Sequence, residues 1–301
     1  MAPDRLTGPT NADMRSARDY REHRVPRGTY HLYAREYPGQ EPAIVLMHGF
    51  PDNLHLYDRL VPELAGRRVV SFDFLGWGAS DKPAGYPYTA TNQTGDLDAV
   101  ITHLQLGSVV LVAHDASGPP GIDWALDHPD RVAALVLLNT YYSQMSGLRP
   151  PEAIWLFSTP LVRSVARPLS RLFGDLLFRR MYHWQVGRFF ADPKVGEEFL
   201  PLLYQQFTTS PSSHEAFFGL NRDLLSTIAS RTANVPRLRG FTRPVRIVFG
   251  AADPYLNRRV ARRFHQLLPT SELFLLDGAR HYVQLDEPQQ VARLVLAIPE
   301  G

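Results

Sequence analysis

The chain of 301 residues contains no cysteine. This absence excludes disulfide bonds, thiolate metal sites and cysteine nucleophiles, although it does not fix the compartment. Long apolar runs are absent too: the first twenty residues carry charges and no signal core, and no later stretch approaches the roughly 18 apolar residues of a membrane-spanning helix. We therefore expect a cytoplasmic protein without a membrane partner.

An excess of charge of one sign is also lacking. The 32 Lys and Arg residues nearly balance the 30 Asp and Glu residues, the formal net charge is +2, and no basic block interrupts the chain. Nucleic-acid binding therefore has no support. We expect a small-molecule substrate and predict no metal and no cofactor, while the oligomeric state stays open.

Short apolar runs indicate a mostly parallel, doubly wound α/β sheet. They cover residues 43–47, 68–72, 109–112, 131–138, 245–250 and 272–276, and helical segments at 88–106, 258–268 and from 288 alternate with them. A further strand is expected at 29–36, after a loose lead-in over 1–19. Between 141 and 239 the strand pattern gives way to a Pro-punctuated, helical segment. We predict a core from residues 1–140 and 240–301 with a helical cap, 141–239, inserted between its strands.

The run at 109–112 leads into Ala113-His114-Asp115-Ala116-Ser117-Gly118. A buried strand, a tight turn of small residues around one reactive side chain and a following helix are typical of a nucleophile elbow, which usually carries serine. Aspartate changes the chemistry, because its carboxylate can displace a leaving group from a saturated carbon and give an ester that water cleaves. The alternative is that Asp115 only caps the next helix.

Two further polar side chains follow late strands. Asp253 comes after the run at 245–250, and His281 comes after the run at 272–276. The order nucleophile, acid, histidine is that of the hydrolases, and the carboxyl ends of parallel strands meet at one edge of a sheet. We predict that His281 activates water and that Asp253 orients it. A capping Asp253 and a structural His281 are the alternatives.

From about residue 25 to its end the chain resembles the α/β-hydrolases with an aspartate nucleophile, the group of epoxide hydrolases and haloalkane dehalogenases, and it is most similar to the epoxide hydrolases. The resemblance implies an α/β-hydrolase fold, a covalent alkyl-enzyme ester and an oxyanion hole from the backbone N–H groups of Phe50 and Ala116. The motifs that carry it are His48-Gly49-Phe50-Pro51-Asp52, Asp73-Phe74-Leu75-Gly76-Trp77-Gly78-Ala79-Ser80, Ala113-His114-Asp115, Gly250-Ala251-Ala252-Asp253-Pro254 and Gly278-Ala279-Arg280-His281.

Departures from the family pattern bear on the leaving group. Both enzyme groups commonly place Trp after the nucleophile, where a dehalogenase uses its N–H to hold halide, and fluoroacetate dehalogenases place Arg there; this chain has Ala116. Epoxide opening needs a proton donor, usually a cap tyrosine. The candidates are Tyr141, Tyr142, Tyr182 and Tyr204, and the segment 217–222, which resembles a tyrosine-bearing stretch of the family, has none. We choose Tyr204 first and Tyr182 second.

The predicted function is hydrolysis of a bulky, mainly apolar epoxide to a diol through Asp115, His281 and Asp253. Haloalkane dehalogenation is the alternative within the family, and a cofactor-free, non-hydrolytic catalyst or a ligand-binding protein is the alternative of another class. Trp155, Trp184, Phe207 and Tyr282 are the predicted substrate-binding residues.

Overall fold

One eight-stranded sheet runs through the computed structural model, which describes residues 19–159 and 175–298. The strand order is β1-β2-β4-β3-β5-β6-β7-β8. β1 and β2 pair antiparallel to their neighbours, and all other pairs are parallel. The strands are β1 (Arg21–Arg27), β2 (Tyr30–Tyr37), β3 (Gln40–Met47), β4 (Arg67–Asp73), β5 (Val109–Asp115), β6 (Val132–Thr140), β7 (Val245–Gly250) and β8 (Ser271–Leu276).

Helices lie in the connections between the parallel strands and at the end of the chain. No helix within the described residues has the length and apolar character to cross a membrane. The helices are α1 (Ala90–His103), α2 (Gly118–Asp127), α3 (Glu152–Ser158), α4 (Asp175–Gly187), α5 (Pro193–Tyr204), α6 (His214–Ser230), α7 (Val235–Leu238), α8 (Arg258–Leu267), α9 (Val283–Asp286) and α10 (Pro288–Leu296).

The central strands form where the sequence is continuously apolar. Every residue of β5 before its last is buried, as expected of a parallel strand covered on both faces. β1 was not predicted, because its sequence Arg-Glu-His-Arg-Val-Pro-Arg buries only Val25. It lies at the edge of the sheet, where polar side chains and proline are tolerated. The predicted mostly parallel sheet with a helical insertion is confirmed.

The insertion, α3 to α7, follows β6 and precedes β7, and polar side chains tie it to the core loops. The Gln206 side chain accepts a hydrogen bond from Gly78 N–H at 2.9 Å and donates to Pro51 O at 3.0 Å. Asn53 donates from Nδ2 to Leu202 O at 3.2 Å. The loops after β3 and β4 are therefore held by the same cap segment. The predicted lead-in, residues 1–19, lies almost entirely outside the described residues.

Candidate active site

Asp115 stands at the tip of a tight turn between β5 and α2. Its φ of +48° lies in the left-handed region, which costs a residue with a side chain free energy and is typical of functional turns. Ser117 stabilises the turn, since its Oγ accepts from His114 N–H at 2.8 Å and donates to Met47 O at 2.9 Å. At Gly118 a Cβ would overlap Thr140 Oγ1, so only glycine fits there.

The two carboxylate oxygens of Asp115 have different environments. Oδ2 accepts the backbone N–H of Phe50 at 3.0 Å, and the N–H of Ala116 also hydrogen-bonds to this carboxylate. Gly49 permits this approach, because a Cβ there would lie 2.7 Å from Asp115 Cβ. Oδ1 lies 4.0 Å from His281 Nε2. The two predicted N–H donors thus hold the carboxylate, Phe50 through Oδ2, while Oδ1 faces the histidine.

His281 is buried and fixed from both sides. Its Nδ1 lies 2.8 Å from Asp253 Oδ2. Its backbone N–H donates to Phe189 O at 3.1 Å, and its carbonyl lies 3.0 Å from His114 Nε2. These contacts hold the ring so that Nε2 points toward Asp115. The structure therefore brings the three predicted catalytic side chains together, although 138 and then 28 residues separate them in the sequence.

Asp253 is a buried carboxylate surrounded by donors. Oδ1 accepts the N–H groups of Tyr255 at 2.8 Å and Leu256 at 3.2 Å. Oδ2, which contacts His281, also accepts Asn139 Nδ2 at 2.8 Å. Asn139 has a φ of +29° at the end of β6. Asn139 was not among the predicted site residues, whereas the structure makes it a partner that positions the acid.

The electrostatics of the three groups are coupled. Burial raises the pKa of Asp115, although His281 and the two N–H donors oppose that rise. Burial also opposes ionisation of Asp253, but the charge and hydrogen bond of His281 outweigh it and lower its pKa. At His281 burial lowers the pKa, whereas Asp253, then Asp115 and Asp52, raise it to about 9. The resting site therefore favours an imidazolium between carboxylates.

Asp52 is a fourth buried acid beside the site. Its Oδ1 accepts the hydroxyl of Tyr282 at 2.6 Å, and its Oδ2 has no partner within the described part of the chain. Burial raises the pKa of Asp52 to about 7, although the hydrogen bond from Tyr282 opposes that rise. Tyr282, predicted to contact substrate, is fully buried and instead holds this acid. That prediction is corrected because its hydroxyl faces Asp52 and the residue does not line the cavity described next.

A cavity of about 350 Å³ opens over Asp115 and His281, within the range of small-molecule sites. Around the reacting groups its wall consists of Phe50, Ala116, Tyr141 and Phe189. The rest of the wall combines aliphatic side chains with polar and charged ones. The larger aliphatic residues are Leu148, Ile154, Leu220, Leu224, Leu225, Ile228 and Leu256, and the polar and charged ones are Gln93, Gln144, Arg149, Asn221, Asp223, Thr227 and Tyr255.

The structure places neither predicted proton donor at this cavity. Tyr182 is buried in the cap, and its hydroxyl lies 3.4 Å from Pro51 O. Its ring is 5.0 Å from that of Tyr204, also buried, and 5.4 Å from Phe207, which was predicted to bind substrate. All three belong to an aromatic cluster inside the cap. The predictions for Tyr182, Tyr204 and Phe207 are corrected, because packing within the cap buries their side chains away from the cavity wall.

Trp155 and Trp184 lie on the outer surface of the cap. Their side chains are 64% and 53% exposed, and the guanidinium of Arg188 lies 4.9 Å from the Trp184 ring centroid. The prediction that they contact substrate is corrected, since neither lines the cavity over Asp115. Phe189, which the sequence reasoning missed, does line it, with its ring 4.6 Å from that of His281. Phe189 is one of many phenylalanines in the cap, and nothing in its sequence neighbourhood distinguishes it as a residue of the active site.

Among the four tyrosines considered from the sequence, Tyr141 is the one that lines the cavity. It directly follows Thr140, which pairs with Asp115 between β5 and β6. Its hydroxyl has no hydrogen-bond partner within residues 19–159 and 175–298. Burial, and then the charge of Asp115, raise the pKa of Tyr141, so the hydroxyl keeps its proton. Across the same ranges, no group of three His, Asp or Glu side chains is arranged to hold a metal ion.

Comparison with known proteins supports the fold. A cis-3-alkyl-4-alkyloxetan-2-one decarboxylase from Shewanella oneidensis is 35% identical over 280 residues, covering 84% of this chain and 80% of that protein. Haloalkane dehalogenase 2 from Mycobacterium tuberculosis is 25% identical over 275 residues, covering 90% and 91%. The haloalkane dehalogenase DatA from Agrobacterium tumefaciens superposes with a TM-score of 0.79 at 24% identity, covering 94% and 99%. The family model described as alpha/beta hydrolase fold matches residues 42–288, and with the elbow, the sheet order and the late histidine in place, this chain belongs to that family.

Proposed function

We propose that this protein is an epoxide hydrolase that forms a covalent ester on Asp115 and releases a diol. The observation that carries the proposal is a carboxylate at the elbow, in the cavity wall, with Oδ2 held by the backbone N–H of Phe50 and Oδ1 facing His281. A carboxylate can open a saturated C–O bond and leave an ester that water cleaves, whereas a serine would leave an inert ether.

In the first step Oδ1 of Asp115 attacks an epoxide carbon, the ring C–O bond breaks, and the alkoxide takes a proton. In the second step His281 removes a proton from water, which attacks Cγ of the ester. The N–H groups of Phe50 and Ala116 stabilise the oxyanion that develops, and the acyl C–O bond breaks as the departing alkoxide takes the proton held by His281. Ester formation removes the Asp115 charge that raises the pKa of His281, so it favours the neutral imidazole needed as base.

Tyr141 supports an oxygen leaving group. An alkoxide has a conjugate acid with a pKa near that of water, roughly 16, so it leaves slowly without a proton. Tyr141 lines the cavity together with Asp115 and Ala116, and the charge of Asp115 acts on its hydroxyl. We assign the proton donation to Tyr141 in place of the sequence candidates Tyr204 and Tyr182. A departing halide needs an N–H donor instead, and Ala116 offers no side-chain donor beside the nucleophile.

A second candidate is decarboxylation of a cis-3,4-dialkyloxetan-2-one, favoured by the 35% identity to the Shewanella enzyme of that name. Attack of Asp115 on the oxygen-bearing ring carbon would break the ring C–O bond and leave a free carboxylate, which needs no proton. Loss of CO₂ would then expel Asp115 and form the alkene. This route balances without water and without a base, so the ordered Asp253 and His281 pair supports the hydrolytic reaction in preference.

The test incubates purified protein with an epoxide, a bromoalkane and an oxetanone of matched chain length. Diol formation is expected, and Asp115→Asn should abolish it. Bromide release without diol would establish the dehalogenase, and alkene with CO₂ would establish the decarboxylase.

The donor is tested separately. Tyr141→Phe should lower epoxide opening by about 10²–10⁴-fold, the usual contribution of general acid catalysis. Tyr142→Phe is the matched control, because its hydroxyl donates to Asp123 at 2.7 Å and lies outside the cavity wall. If Tyr141→Phe kept full epoxide activity and Tyr204→Phe lost it, Tyr204 would be the proton donor, as predicted from the sequence.

A further inference from the structure

Two buried amide side chains stand in the wall of the catalytic cavity, among its aliphatic residues. Gln93 of α1 is 7% exposed and Asn221 of α6 is 1% exposed, and both line the cavity. The oxygens Gln93 Oε1 and Asn221 Oδ1 find no hydrogen-bond partner among the residues described. Buried polar atoms are nearly always paired in folded proteins, so two bare acceptors in one binding wall indicate a ligand.

The orientation of Asn221 is fixed by its other amide atom. Nδ2 donates to Phe217 O at 2.9 Å, which leaves Oδ1 as the unpaired end. Phe217 stacks on Phe50 with ring centroids 5.2 Å apart. Since Phe50 supplies an N–H group to Asp115, Asn221 lies one helical turn, about 6 Å of rise, beyond the residue that packs on the oxyanion hole.

The two helices present these residues from facing surfaces. Ala90 and Gln93 are three residues apart on α1, and Asn221 and Leu224 are three residues apart on α6, so each pair shares a helix face. Asp223 joins the helices, because its Oδ2 accepts Ala90 N–H at 3.2 Å. The amides therefore lie along one seam of the cavity.

Other polar residues of this seam are already paired. Asp223 Oδ2 also accepts the hydroxyl of Thr227 at 2.7 Å, and Oδ1 accepts Ser226 Oγ at 2.9 Å. Tyr255 donates to Glu152 at 2.7 Å. The buried side-chain atoms left unpaired at the seam are the oxygens of Gln93 and Asn221, and a donor on the ligand would pair with them.

We infer that Gln93 and Asn221 form a subsite for a hydroxyl or N–H group on the substrate, remote from the carbon that Asp115 attacks. A purely apolar substrate that fills the cavity expels water and leaves both acceptors bare. A substrate with a donor at that position satisfies them, and sites built for a hydrogen bond discriminate strongly against analogues that lack it. The substrate class is thus an apolar molecule with a distal hydroxyl or amine; only the identity of its reacting group rests on the proposed function.

The experiment compares ligands that differ only in the donor. Terminal epoxides with an ω-hydroxyl group, over a series of spacer lengths, are assayed beside their ω-methoxy counterparts. Primary alcohols of six to eight carbons are titrated against the corresponding methyl ethers by calorimetry, which needs no turnover. At the best spacer length, the hydroxylated epoxide should have about a tenfold lower KM and the alcohol about a tenfold lower Kd.

Variants connect that preference to the seam. The preference for the hydroxylated ligand should disappear in Asn221→Leu, in Gln93→Leu and in the double variant. These variants should fold, since an apolar side chain replaces a buried amide whose oxygen is unpaired. Gln144→Leu is the matched control, because Gln144 lines the cavity at its mouth but is exposed to solvent.

Equal binding of alcohol and ether to the wild type, or a preference that survives in the double Leu variant, would overturn the subsite. If the wild type opens no epoxide, the proposed reaction fails while the calorimetric comparison still decides the subsite.

Discussion

Replacing Asp253 by Asn puts an amide at a position where the surroundings supply only donors. One carboxylate oxygen accepts two backbone N–H groups, from Tyr255 and Leu256, and the other accepts His281 Nδ1 and Asn139 Nδ2. Whichever way the new amide turns, its NH₂ group faces two donors.

Of the side-chain neighbours, Asn139 cannot present its carbonyl, because that oxygen accepts Gly250 N–H at 2.7 Å. His281 can adapt by taking the tautomer in which Nδ1 accepts from the new amide and Nε2 carries the proton. Asn139 Nδ2 would then lose its acceptor, so we expect the free energy of unfolding to fall by about 1–3 kcal/mol. With Nε2 protonated, His281 cannot take a proton from water, and hydrolysis of the ester should slow by about 10⁴-fold.

The assay separates the two chemical steps. Alkylation depends on Asp115 and the proton donor, so Asp253→Asn should give a burst of one equivalent and then stop, with the alkyl adduct visible by intact mass spectrometry. Asp277→Asn is the matched control, since its side chain is 88% exposed and contacts only Arg258 at 3.1 Å. If Asp253→Asn fails to fold, His281→Gln should accumulate the same adduct. Steady turnover near the wild-type rate, or no adduct in either variant, would refute the reasoning.

Three further outcomes are expected. The pKa of His281 is raised from 6.5 to about 9. Protonated His281 therefore stabilises the fold by about 3 kcal/mol below pH 6.5, and this contribution is lost as the pH rises toward 9. Urea unfolding of the wild type and of His281→Gln between these pH values measures the loss. Gly118→Ala should lower stability by about 1–3 kcal/mol in the same measurement, whereas Gly107→Ala, which has open space around it, should not. Trp155→Ser should leave kcat/KM for the epoxide unchanged, because the Trp155 side chain faces solvent. A lower kcat/KM would show that Trp155 contacts the substrate.

The sequence allows prediction of those parts of the fold and site that a linear pattern encodes. β5 is a continuous apolar run up to His114, and β7 is interrupted only by Arg246, so burial on both faces determines them. Asp115 ends β5, Asp253 follows β7 and His281 follows β8, and parallel strands bring these ends together. β1 has no such pattern, because its pairing at the sheet edge needs only backbone groups and one buried valine.

The cap resists prediction for a different physical reason. Its helices carry many aromatic residues, and their spacing does not tell which face meets the core, which meets the cavity and which meets solvent. Phe207 packs inside the cap, Trp155 faces outward and Phe189 reaches the site. Tyr141 was considered only as one cap tyrosine among four. Its position is set by the end of β6, where a one-residue change of register would turn it away.

The asymmetric holding of the Asp115 carboxylate gives its two oxygens different fates. In the proposed reaction Oδ1 leaves with each product, and the oxygen of the attacking water takes its place, while Oδ2 stays against the N–H group of Phe50. The oxygen delivered in one cycle therefore entered the protein in the cycle before. In ¹⁸O-labelled water the first diol should carry no solvent oxygen, every later diol should carry it, and the resting carboxylate should gain one heavy atom and never a second.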